Sequence, residues 1–352
     1  MGRNDMTLPR THRRNVSRLS SLSGLAILVC ALGLVSCAPG SDGAAGDGSV
    51  GEDGVDKSHW PTAQVERGLV KGLALPIEHY LRTYPEEVAI QRAKNALNRA
   101  CMKRFGFDYD PPAPGGRPAH SYNAANMKRR WGITDPAEAK EHGYRLPQEP
   151  KDDDWRPYEL EGPDANYVFD LTLASGASAA SGASGASGSS SASDAPGAPG
   201  ASGQKPPTDA TYKGNRIPEG GCRGETDRKL GTYDDSLAAK INVETFQRAK
   251  QAPEVLAVNR RWSSCMKKKG YRVATPLEAL NQAFAKGTTE ASQAETAMAI
   301  ADVECKKSTH LIDVYFSTET ALQKKRIEEE QLGLDEQKAK NEKVMKRAAE
   351  YR

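Results

Sequence analysis

Two stretches of this chain finish a helix in the same way, and that repeat constrains the fold most. Cys101-Met102-Lys103-Arg104-Phe105-Gly106-Phe107 and Cys265-Met266-Lys267-Lys268-Lys269-Gly270-Tyr271 share a cysteine, a methionine, a glycine and a following aromatic residue. Each follows a helical start with acid beside proline, Pro85-Glu86-Glu87 and Pro253-Glu254. Proline suits the first helical position and acids suit its positive end. Ile90, Ala93, Leu97, Ala100 and Cys101 recur at helical spacing, as do Val255, Val258, Trp262, Cys265 and Met266, predicting single buried stripes. Gly106 and Gly270 fall where a helix needs a left-handed cap. A second start follows each copy: Asp135-Pro136-Ala137-Glu138 and Thr275-Pro276-Leu277-Glu278 read as capping boxes. Two related helical units are therefore expected, at residues 59–173 and 208–322.

The ends of the chain differ in character. Residues 1–21 carry Arg3, Arg10, Arg13, Arg14 and Arg18 against Asp5 alone, and residues 22–35 are almost wholly apolar. That is the form of a secretory signal; the apolar run is shorter than the roughly 20 residues a spanning helix needs. Leu34-Val35-Ser36-Cys37 resembles the lipobox of bacterial lipoproteins at every position. The resemblance implies removal of residues 1–36 and a diacylglycerol thioether on Cys37, placing the protein on the outer, extracytoplasmic face of the cell membrane. Two acyl chains anchor durably where one binds only marginally. Residues 37–58, rich in Gly, Asp, Ser and Ala, then read as a flexible tether with a span of roughly 25 Å.

Composition narrows the function classes. The chain holds 49 basic and 46 acidic residues, and its surplus of cations lies in the signal. Without residues 1–36 the balance is near neutral, so no concentrated basic surface calls for nucleic acid. Residues 174–207 are an Ala/Ser/Gly run too poor in apolar side chains to offset ordering entropy, predicting a disordered linker.

Four cysteines remain after Cys30 and Cys37: Cys101, Cys222, Cys265 and Cys305. An even set in an exported chain predicts two disulfides, and no Cys-x-x-Cys spacing supports a metal site. Of three possible pairings, Cys265–Cys305 joins adjacent helical elements, leaving Cys101–Cys222 to close the loop around the linker. From about residue 290 a mostly apolar face (Ala297, Ala301, Cys305, Ser308, Ile312, Tyr315, Glu319, Leu322) predicts one long C-terminal helix of roughly 60 residues. Its end, residues 323–352, is a charged extension that would project into solvent or meet a protein or cell-wall partner.

The combination of lipobox, Trp262-x-x-Cys265-Met266-x-x-x-Gly270-Tyr271, Pro218-Glu219-Gly220-Gly221-Cys222 and Ala301-Asp302-Val303-x-Cys305 resembles lipoproteins of Gram-positive actinobacteria that carry no established activity. It spans most of residues 75–335, and Asn98 stands where the second copy has Trp262. The resemblance implies anchoring and architecture only.

No catalytic constellation stands out. His59, His79, His120, His142 and His310 lack any His-x-x-x-His or His-Glu spacing and read as surface or packing residues. Asp152-Asp153-Asp154-Trp155 lacks the alternating ligands of a calcium loop. Lys103-Arg104 and Lys267-Lys268-Lys269 suit helix C-termini, with contact to anionic lipid or wall polymer as a second use. The expectation is a mainly α, disulfide-stapled body without cofactor or metal, acting as a non-catalytic binding or envelope-associated protein. A cell-envelope enzyme whose site assembles only in the fold is the alternative.

Overall fold

Proline placement and helix capping account for most element boundaries. In a computed structural model that describes residues 55–117, 119–146, 158–171, 209–285 and 290–351, helix α1 spans Tyr84–Arg104. Its start is a closed capping box: Glu86 Oε2 accepts from the Thr83 amide at 2.8 Å while the Thr83 hydroxyl accepts from the Glu86 amide. A 3-10 turn at Pro76–Tyr80 precedes it. Helices α2 (Pro136–His142) and α3 (Gly162–Phe169) follow, then a two-residue hairpin of β1 (Thr211–Tyr212) and β2 (Asn215–Arg216) with Thr211 opposite Arg216. Helices α4 (Gly221–Leu230), α5 (Ser236–Gln251), α6 (Pro253–Lys268), α7 (Pro276–Phe284), α8 (Gln293–Thr309), α9 (Leu311–Glu329) and α10 (Gln331–Ala348) complete a mainly helical body. The described residues belong to one unit that begins at Gly48. The export signal, Cys37, the tether before residue 55 and the linker at 174–207 lie outside them.

The two Cys-Met helix ends have one geometry. Gly106 and Gly270 adopt φ of 79° and 93°. Beyond them the amides of Phe107 and Tyr271 donate to the carbonyls of Met102 and Met266, at 3.2 and 2.9 Å. Both methionines are fully buried. These are Schellman caps, which use carbonyls the helix leaves free. One turn before each cysteine a polar side chain reaches the bridged helix. Asn98 accepts from Thr226 at 2.6 Å, and Trp262 donates to Asp302 at 2.9 Å. The partners nevertheless run in opposite senses. Numbers fall across the first bridge (Asn98–Thr226, Cys101–Cys222) and rise across the second (Trp262–Asp302, Cys265–Cys305), so α4 is antiparallel to α1 and α8 parallel to α6. Ala100, expected on the buried stripe, is exposed.

Three sequence expectations need correction. The C-terminal stretch is three helices instead of one of roughly 60 residues. At Ser308-Thr309-His310 both hydroxyls donate to the Cys305 carbonyl, at 3.2 and 2.7 Å, competing with the helix ladder. His310 turns left-handed with φ of 56°. A second break at Glu330, φ −113°, lets α10 fold back on α1, α4 and α5 instead of projecting outward. Neither of the second pair of caps closes as a capping box. Asp135 accepts from the Ala137 amide, while Glu138 is drawn inward to Arg129; Glu278 accepts from the Ala274 amide, one residue before the cap.

The main core mixes both halves of the sequence: Val70, Ile77, Trp131 and Ile133 pack with Ile241, Trp262, Met266 and Leu311. A second cluster surrounds Cys101–Cys222 with Met102, Val168, Leu171 and Ile217. A third seats Val344 and Ala348 of α10 against Ile90, Ala93 and Leu97 of α1. Among the described residues no helix is long and apolar enough to cross a membrane.

Candidate functional site

The loop between α1 and α2 sends four adjacent residues to different elements. Lys128 and Arg129 pair with Glu138 of α2, at 2.5 and 3.0 Å. Arg130 turns the other way: its Nε contacts both oxygens of the fully buried Glu319 on α9, at 3.1 and 3.0 Å, and one Nη donates to the Ala125 carbonyl. Gln323 extends this network to the Ile77 amide at 3.1 Å. Trp131 enters the main core. Farther along, Arg145 forms a two-pronged pair with Glu295 of α8 at 3.0 and 3.1 Å. Such forked pairs fix orientation as well as distance.

Beneath this loop lies the most enclosed ion pair among the described residues. Lys306 and Asp302, one turn apart on α8, are both fully buried with Nζ and Oδ2 at 3.0 Å. Lys306 also donates to the Ile133 carbonyl at 2.8 Å, and Asp302 accepts the Trp262 indole N–H. Burial pushes the Asp302 carboxyl up and pulls the Lys306 ammonium down, each opposed by the partner's charge. The Tyr144 hydroxyl points toward Asp302 without a hydrogen bond of good geometry, and burial followed by Asp302 drives its pKa far above the ordinary phenol value.

Over the outer side of the loop opens a cleft of about 690 Å³. Its walls include Trp60, Arg67, Glu78, Tyr122, Asn123 and Lys128. Trp60 is held from two sides, its indole N–H donating to the Gly115 carbonyl at 3.0 Å and its ring edge-on to Tyr84 at 5.2 Å. Three wall carboxylates have structural partners. Glu78 accepts from the Leu75 amide at 2.6 Å and from Asn123 at 3.0 Å. Asp135 caps α2 and pairs with Arg67 at 3.0 Å, and Glu138 pairs with Arg129 and Lys128. Glu66 stays exposed at the rim.

The sequence-derived candidates fall as follows. Cys37 and Asp152-Asp153-Asp154 lie outside the described residues. Cys101 is bonded to Cys222 and Cys265 to Cys305, with Cα separations of 5.6 and 5.7 Å. The histidines are dispersed: His59 and His120 line the cleft, His79 faces Lys338, and His310 contacts Asp313 at 3.0 Å. No three His, Cys, Asp or Glu side chains gather as metal ligands among the described residues. Sequence reasoning missed Arg130–Glu319, Arg145–Glu295 and Asp302–Lys306. The one signal was charge on an otherwise apolar helical face at Asp302, Lys306 and Glu319.

The described residues thus form a disulfide-stapled helical body with a groove framed by ion pairs and caps. Comparison with protein-family models, curated proteins and solved structures finds no match to this chain.

Proposed function

We propose that this protein is a lipid-anchored extracytoplasmic binding protein whose ligand sits in the cleft walled by Trp60, Glu78, Tyr122 and Asn123. The observation that carries the non-catalytic reading is the commitment of Glu78, Asp135 and Glu138 to caps and ion pairs that frame the groove. An acid or base for proton transfer needs a group free to reach its substrate; these three carboxylates hold walls, which leaves Glu66, His59 and His120 as the cleft groups an enzyme would have to use. Anchoring is supported by the lipobox at Leu34–Cys37 and agrees with a body whose other four cysteines form two disulfides, as oxidising compartments favour. The cleft is a better seat for a ligand than the C-terminal helix, because α10 spends its apolar face on α1.

Two measurements test this. Intact-mass analysis of native protein from membranes should give a chain beginning at Cys37 with a diacylglycerol adduct, and Cys37→Ala should abolish the adduct. An unmodified Cys37 would refute the anchor. Photo-crosslinking in intact cells, from a probe placed at Tyr122, should trap a ligand that Trp60→Ala no longer traps. Recovery of that ligand in chemically altered form from wild type would favour the enzyme instead.

A further inference from the structure

The one-signed stretch richest in cations lies away from the cleft. Between Glu254 and Glu278 the chain has six Lys or Arg residues and no Asp or Glu. Lys269 pairs with Glu304 at 2.5 Å. Arg260, Arg261, Lys267, Lys268 and Arg272 are exposed and make no ion pair among the described residues. The neighbouring carboxylates are occupied, Glu304 by Lys269, Asp313 by His310 and Glu254 by the Thr318 hydroxyl.

Helix electrostatics accounts for only part of this. Lys267 and Lys268 sit in the last turn of α6, where cations offset the negative end. Arg260 and Arg261 stand about two turns earlier, beyond the reach of that effect. They line, with Ser264, Cys265, Lys268 and Ser308, a depression of about 490 Å³ between α6 and the end of α8. Its two walls are tied by Cys265–Cys305, so their spacing is fixed before anything binds. Ser264 and Ser308 give their protons to the Arg260 and Cys305 carbonyls at 2.9 and 3.2 Å, which leaves the cations as the donors facing outward. Leu256, 41% exposed, continues the stripe Arg260-Ser264-Lys268 by one further helical turn.

We infer that this face of α6 docks on the anionic phospholipid surface of the membrane, with Arg260, Arg261 and Lys268 taking lipid phosphates and Leu256 entering below the headgroups. Clustered cations beside an exposed apolar side chain suit an anionic bilayer surface, whereas a soluble phosphate would have no use for Leu256. The inference rests on the membrane location proposed above and would orient the body against the bilayer to which its tether leads.

The test uses residues 38–352, the expected processed chain without its lipidated cysteine, so that neither an acyl chain nor the cationic, apolar leader contributes. This chain should co-float with vesicles of phosphatidylcholine and phosphatidylglycerol in equal parts and not with pure phosphatidylcholine. Binding should fade as salt rises from ~0.1 to ~1 M, where screening shortens from about 10 to about 3 Å. Arg260→Gln with Arg261→Gln should lower partitioning by roughly 30-fold, with an unchanged melting curve because both side chains are exposed. Lys324→Gln with Lys325→Gln, the same charge change on α9, should leave it unaltered. Equal loss in both pairs, no preference for phosphatidylglycerol, or binding abolished by millimolar inorganic phosphate would overturn the inference.

Discussion

Lys306 shows what a single side chain does for this fold. Its ammonium is fully buried, and the Coulomb gain with Asp302 is set against the desolvation of both groups. The pair is tolerable because each member has a second partner, the Ile133 carbonyl for Lys306 and the Trp262 indole for Asp302. Lys306→Met strands the carboxylate and should cost about 3–5 kcal/mol in denaturant unfolding. Adding Asp302→Leu to it should recover most of that loss; a single variant as stable as wild type would remove the pair from the account. Glu225 makes the pH case. Burial raises its pKa, but hydrogen bonds from Arg104 and Lys229 outweigh this and hold it below the usual carboxylate value. A folded-state pKa below the unfolded one stabilises above the unfolded pKa and is lost as pH falls through the folded one. Wild type should therefore exceed Glu225→Gln in stability at neutral pH, and the gap should close below about pH 4. A gap constant from pH 7 to pH 3 would refute the ionic role. Of such residues the sequence displays little. Asp302 and Lys306 can be seen breaking an apolar face, but the Ile133 carbonyl that receives Lys306 belongs to a loop far away in the chain.

Elements were more legible where their signals are local. Thr275-Pro276, Asp135-Pro136 and the Gly106 and Gly270 ends carry their own instructions, since cap, ring and left-handed turn are satisfied within a few residues. The breaks at His310 and Glu330 were hidden because apolar spacing continues across them. Back-bonding of Ser308 and Thr309 to one carbonyl accompanies the first, and return packing of α10 on α1 the second. Glu138 likewise obeys Arg129 and Lys128, not its cap. Two glycines separate the local from the tertiary contribution. Gly270 has open space around its absent Cβ, so Gly270→Ala meets only the left-handed backbone cost of about 1–2 kcal/mol. Gly221, with φ of 74°, lies against the backbone carbonyl of Phe169 at the end of α3. Gly221→Ala adds that collision and should lose about 3 kcal/mol or more in thermal or denaturant unfolding. Equal losses at the two sites would show that α3 gives way freely.

At the scale of the whole molecule the two disulfides divide the work unequally. Cys101–Cys222 spans a separation of 121 residues and Cys265–Cys305 one of 40, so loop entropy assigns them about 5 and about 4 kcal/mol respectively. Accessibility orders them the other way. Cys101 and Cys222 are both buried, within the cluster of Met102, Val168 and Ile217. Cys265 is half-buried and lines the open depression on α6, with only Cys305 enclosed. Exchange requires a thiolate to reach one sulfur of the bond. A mild reductant under native conditions should therefore open Cys265–Cys305 first, seen as alkylation of Cys265 and Cys305 peptides while Cys101 and Cys222 remain linked. That singly reduced protein should keep its helical signal, because Trp262, Met266 and Leu311 still fill the main core between α6, α8 and α9. Opening the second bond should need local unfolding of the cluster around α3 and α4, so its rate should rise with denaturant whereas the first should scarcely respond. Alkylation of Cys101 and Cys222 ahead of Cys265, or equal denaturant dependence for the two bonds, would mean that burial does not govern which bridge yields.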